Sequence, residues 1–220
     1  MNSNSPSKNC ISTFISDNFK DLKLLLFWPL FGLAFMFLER GPERNWFIVE
    51  CALDNMIPFC EYFVFPYLFW FLYIILMNFY SFFYDRPTFV KYMKFTIITY
   101  TVTILIYVLF PTAQELRPDL AALGRENLLT RFLTHFYMFD TNTNVCPSLH
   151  VTGAISVWAA AWNSKHFSSP LWRTVSTVVM LAICASTVFL KQHSIIDAIA
   201  AFALCTATYL LVFVQKEKNA

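Results

Sequence analysis

The chain has 220 residues, 57% of them hydrophobic, 19% aromatic and only 14% charged, with a formal net charge of +2. This composition excludes an ordinary soluble domain and fits a polytopic membrane protein, a single domain largely in lipid. A nucleic-acid partner is not expected, and Cys10, Cys51, Cys60, Cys146, Cys184 and Cys205 lack the paired spacing of a structural zinc site.

The opening residues 1–21 are polar and read as a tail. The apolar run Leu24–Leu38 ends in Glu39-Arg40 and not in a small-residue cleavage site, so it reads as a short first span, not a secretory leader. Further spans are expected at Tyr62–Phe79, Tyr92–Phe110, Pro147–Trp162, Leu171–Leu190 and Ser194–Val214. The expected fold is therefore an all-α integral membrane bundle of six helices over residues 22–215, followed by a short tail at 216–220. The 25 phenylalanines are its lipid-facing surface and packing. Cys51 and Cys60 share an outer loop and are a candidate disulfide.

Six spans place both termini on one side. That side carries Lys8, Lys20, Lys23, Arg86, Lys91, Lys94, Lys165, Arg173, Lys216 and Lys218, ten of the 16 Lys and Arg. The cation excess predicts cytoplasmic termini and a site that faces outward or into a lumen. The outer loop Pro111–Cys146 is long enough to be functional. Within it, Asn127–Phe139 has the apolar spacing of an amphipathic helix lying along the membrane surface over that site.

Two stretches carry ionisable groups where lipid makes them costly: NVCPSLHVTGAISVWAAAW, with Ser148 and His150, and FLKQHSIIDAIAAF, with His193 and Asp197. Such groups usually face a protein interior or an aqueous cavity. At a helical rise of about 1.5 Å per residue the chain descends after His150 and returns by His193, so both histidines reach one face. Arg117 follows the third span onto the same face. The i,i+4 spacing stacks His193 on Asp197, which fixes the imidazole tautomer and frees its other nitrogen. Ser148 lies at a helix start, where unpaired amides favour an anion, and Arg117 and Lys191 add positive charge. Such a site would hold a phosphate. His135 and His166 read as surface residues, and Cys146 as packing.

CPSLH and STVFLKQHSIID resemble the second and third signatures of the type 2 phosphatidic acid phosphatase superfamily, P-S-G-H and S-R-x5-H-x3-D. Of the first signature, K-x6-R-P, only Arg117-Pro118 is matched, with Phe110 at the lysine position; Thr187 stands at the usual arginine of the third. The Ser-Leu-His motif, the lysine before His193, FPTAQELRP and IPFCEYFVFPYLFW look closer to the inositol phosphorylceramide synthase and sphingomyelin synthase-like branch. The resemblance implies a metal-independent, cofactor-free lipid phosphatase or phosphotransferase. His193 would attack phosphorus, Asp197 orient it, His150 serve as acid and base, and Ser148, Arg117 and Lys191 bind the phosphate. Its partners would be the bilayer and a lipid phosphoester. The alternative is a non-catalytic scaffold or carrier retaining the fold; the intact Ser148, His150, His193 and Asp197 set argues against the first, and the lack of repeated halves against the second.

Overall fold

The computed structural model describes residues 21–41 and 44–214 and is 72% helical. Apart from Asp21, the expected tails lie outside the described residues. In chain order the elements are α1 (Phe27–Glu39), β1 (Phe47–Ile48), α2 (Ala52–Met56), a 3₁₀ turn (Glu61–Phe63) that runs into α3 (Val64–Tyr84), and α4 (Arg86–Leu109). They continue with β2 (Thr112–Ala113), α5 (Leu128–Phe139), α6 (Leu149–Asn163), α7 (Pro170–Phe189) and α8 (Ile195–Tyr209), which ends in a π-helical turn, Leu210–Val214.

Polar side chains at the starts of α4 to α8 satisfy amides that a helix leaves unpaired. Asp85 accepts from the Thr88 amide, Asn127 from Leu129 and Thr130, Ser148 from Val151, Ser169 from Trp172, and Ser194 from Ile196. Five helical stretches, Asp21–Glu39, Glu61–Tyr84, Arg86–Leu109, Pro170–Phe189 and Ile195–Val214, are long and apolar enough to cross a membrane. They mark a multi-pass membrane protein.

α6 differs from the fourth span expected at Pro147–Trp162. Its 15 residues rise only about 22 Å, short of a hydrocarbon core of about 30 Å. Twelve of the 15 are buried, because α6 is the central helix, packed by α3, α4, α7 and α8. Gly153, Ala154 and Ala159–Ala161 give it the small side chains that let neighbours approach closely. Facing it, α4 presents Tyr92, Thr96, Thr99, Tyr100, Thr103 and Tyr107, a fully buried polar stripe at helical spacing. Tyr107 donates to the Pro147 carbonyl at 2.6 Å and so ties α4 to the start of α6.

The segments between helices at the His150 end form more structure than the all-α expectation allowed. β1 and β2 pair in parallel, Phe47 with Thr112 and Ile48 with Ala113, and Ala113 bridges to Thr143. Strands of two residues are too short to leave an alternating pattern in the sequence. Cys51 and Cys60 are free thiols, so the candidate disulfide is not formed.

Gly153 is where α6 meets the aromatic wall. A Cβ there would lie 2.5 Å from both Trp70 Nε1 and Tyr100 Oη. Both rings are packed, so Gly153→Ala is expected to lower stability by about 1–3 kcal/mol, through overpacking. Thermal unfolding of the detergent-purified variant checks this; a melting temperature equal to wild type would contradict the packing described.

Candidate active site

The second and third motifs meet at two adjoining helix starts. Ser148 precedes α6, and its amide donates to the Asp197 carbonyl in α8 at 3.2 Å. That leaves the Leu149 and His150 amides as the first-turn donors not used inside the helix. The Ser148 hydroxyl accepts from the Val151 amide at 3.4 Å, and the residue is fully buried.

His193 lies in the turn between α7 and α8. The carbonyl of Thr187 accepts from both the Gln192 and His193 amides at 3.0 Å, and Lys191 takes a left-handed φ of 56°. That conformation is uncommon for a side-chain-bearing residue and turns the chain sharply before His193. His193 Nδ1 meets Asp197 Oδ2 at 3.1 Å, and the same oxygen accepts from the Ser194 amide at 3.0 Å. His193 Nε2 has no hydrogen-bond partner among the described residues. The His150 and His193 ring centroids are 6.1 Å apart. His150 is held between aromatic planes, stacked on Tyr67 at 4.0 Å and against Trp70 at 4.3 Å, and its Nε2 is buried without a partner.

Both histidines line one cavity of about 540 Å³, together with Glu39, Asp140, Asn144 and Gln192. The other expected phosphate ligands are placed differently. Arg117 sits behind Gln192: its guanidinium donates to the carbonyls of Tyr137 and Asp140 and to the Gln192 side chain, and lies 4.5 Å over the Tyr137 ring. Burial lowers its pKa, against the opposing charge of Asp140. Lys191 donates to the Asp54 carbonyl, away from the cavity lining, and burial lowers its pKa too. His135 and His166 are exposed, bonded to the Arg131 carbonyl and the Tyr80 hydroxyl.

Residues outside the motifs complete the site. Asp140 accepts from the Tyr67 hydroxyl at 2.6 Å and from Gln192 at 3.1 Å, which links His150's stacking partner to His193's neighbour. Burial pushes the Asp140 carboxyl above its usual range, while the Tyr67 hydrogen bond and the charges of His193 and Arg117 pull it back. The Cys146 thiol is pushed up to about 12, by burial and then by the Asp197 charge, so it remains a neutral thiol. Glu39 accepts from Thr141, Thr143 and Asn144, fixing the end of α1 to the segment before α6. Among the described residues, no group of three or more His, Cys, Asp and Glu is placed to hold a metal ion.

A family model described as the PAP2 superfamily matches residues 91–220, which include Arg117, Ser148, His150, His193 and Asp197. The chain belongs to the PAP2 superfamily. Members are generally phosphatases, so at that level this PAP2 chain is an enzyme of the phosphatase or phosphotransferase type. It matches no curated protein and no solved structure. The PAP2 match begins inside α4, so α1 and α3, which supply Glu39, Tyr67 and Trp70, lie outside it.

Asp54 is the fully buried support of the His193 turn. Its carboxylate accepts from Ser194 Oγ at 2.6 Å and from the amides of Ile195 and Cys51 at 2.8 Å each. Burial raises its pKa, but these hydrogen bonds outweigh it and hold the carboxyl below the usual carboxylate range. A depressed folded pKa gives stability that is present above the unfolded value and lost as pH falls through the folded one. Asp54→Ala is expected to cost about 2–4 kcal/mol at neutral pH, since it strands buried donors. The difference in melting temperature from wild type should hold from pH 7 to about pH 5 and narrow below about pH 4. A difference independent of pH would contradict the charged carboxylate.

Proposed function

We propose that this PAP2 chain is a membrane-embedded, metal-independent lipid phosphotransferase, with hydrolysis as its slower default, working through a phosphohistidine on His193. The observation that carries this is the His193–Asp197 contact of 3.1 Å with a second imidazole 6.1 Å away on the same cavity. Asp197 holds the Nδ1 proton of His193, so Nε2 presents its lone pair to phosphorus. As the N–P bond forms and the ester P–O bond breaks, His150, made imidazolium by the negative charge of the bound ester, gives its proton to the leaving alkoxide. In the second half His150 takes a proton from an alcohol or water, whose oxygen attacks phosphorus and releases His193. The Leu149 and His150 amides at the α6 start, on residues that line the cavity, would bind the phosphoryl oxygens, with the buried Ser148 hydroxyl beneath them.

The charge around the cavity favours a diester. Arg40 is the only Lys or Arg among the described lining residues, whereas Glu39 and Asp140 both line it. A doubly charged monoester depends more on desolvated cation contacts than a singly charged diester. Phe110 and Thr187, at positions where the signatures usually carry lysine and arginine, reduce the cation count further. A phospholipid head group is therefore the donor and a lipid hydroxyl the acceptor, as the resemblance to the sphingolipid synthase-like branch implies. With α6 counted as a sixth crossing, both termini share the cytoplasmic side, α5 lies at the opposite membrane surface, and the active site faces outward or lumenally.

His193→Ala is expected to abolish turnover. His150→Ala should lose about 10²–10⁴-fold on alkyl leaving groups and much less on an aryl leaving group that needs no proton. Equal losses on both substrates, measured by product release, would contradict the acid role. Activity should be unchanged by chelators; inhibition reversed only by a divalent ion would remove the metal-free mechanism. Purified protein given labelled phospholipid should form labelled lipid product when diacylglycerol or ceramide is present. Rapid phosphate release from phosphatidic acid, with no lipid product under any acceptor condition, would leave a plain lipid phosphatase.

A further inference from the structure

α1 packs on α4 and carries Leu38 as its only buried residue. Between α1 and α3 runs a second, apolar groove of about 540 Å³. It adjoins the cavity of the two histidines, with Phe31, Trp70 and Phe71 as shared walls. Trp70 is also the ring against His150, so one end of the groove lies a single side chain from that histidine. Along it the walls are apolar and half-open to the side: Phe71 is 47% exposed, Ile75 49% and Phe79 62%.

One polar contact crosses the groove. Trp28 Nε1 on α1 donates to Asn78 Oδ1 on α3 at 3.0 Å, and Asn78 is held in turn by the Ile74 carbonyl and the Tyr92 hydroxyl. Asn78 is eleven residues along α3 from Tyr67, which stacks on His150. That is about 16 Å of helix rise, close to the depth of one leaflet in a hydrocarbon core of about 30 Å.

We propose that this groove is the binding site for an acyl tail of the lipid substrate, entered sideways from the bilayer between α1 and α3, with the Trp28–Asn78 bond marking its far end. The assignment rests on the proposed lipid phosphoester chemistry and adds which part of the chain selects the lipid. Head-group phosphorus lies between His150 and His193 while the tail runs from Trp70 toward Trp28. All of its walls except Tyr100 come from outside the family match.

Gly32 gives the test. It lines the groove, and a Cβ there meets nothing within 4 Å, so Gly32→Phe fills the groove while removing a weak helix former. The full chain in detergent is irradiated with a non-hydrolysable phosphonate analogue of a diacyl phospholipid that bears a diazirine in mid-chain, with the unlabelled analogue as competitor. Adducts are mapped by mass spectrometry. Competable adducts are expected on α1 and α3 between the levels of Trp70 and Trp28. Gly32→Phe, and Ile75→Trp as a second filled variant, should cut their yield about tenfold, the equivalent of losing the burial of two methylene groups. Adducts spread over α7 and α8, absent altogether, or unmoved by both variants would overturn the tail site. Competable groove labelling in a protein that turns over no phosphoester would instead remove the catalytic reading and leave the tail site standing.

Discussion

The carboxylate of Asp197 is the contact on which the rest of the site depends. It is fully buried, and one of its oxygens accepts both from His193 Nδ1 and from the Ser194 amide that opens α8. Its backbone carbonyl takes the Ser148 amide, which joins the start of α8 to the start of α6. One residue thus fixes the tautomer of His193, caps its helix and holds His150's helix alongside. The His193 and Ser194 donors both meet Oδ2, while Oδ1 is buried without a hydrogen-bond partner among the described residues.

Around it the bundle is organised to keep polar groups inside an apolar shell. α6 carries little lipid-facing surface because four helices surround it, and its small residues let Trp70 and Tyr100 close over Gly153. The threonine and tyrosine stripe of α4 turns inward toward the same helix. Asp54, Asp140 and Glu39 then tie α2, the segment after α5 and α1 to the motif helices, each through a carboxylate bonded to two or more donors. The position of the two histidines is therefore set by contacts far apart in the chain, while the apolar surface is left to lipid and to the α1–α3 groove.

The meeting of His150 with His193, and of His193 with Asp197, was legible in the sequence because ionisable side chains at span ends are costly and because His193 and Asp197 fall at helical spacing. The spanning helices were legible from apolar length, and the α5 helix from its periodicity. Asp54 was not, since its partners Ser194 and Ile195 lie about 140 residues away and nothing local marks it. Gln192 was not, lying between Lys191 and His193 in KQH with no local mark, although it is the residue that reaches Asp140 and Arg117. Lys191 reads as a phosphate ligand from its charge beside His193; in the fold its ammonium donates to the Asp54 carbonyl. The β1–β2 pair and the encasement of α6 are tertiary outcomes that periodicity does not encode.

The central claim is that phosphorus passes through His193. The most direct measurement is to mix purified protein with a substrate labelled at phosphorus, quench with alkali within a single turnover, and map the label by peptide sequencing. The account predicts an alkali-stable, acid-labile label on the peptide carrying His193, absent in His193→Ala. Turnover without any bound label, or a label on Ser148, would contradict it.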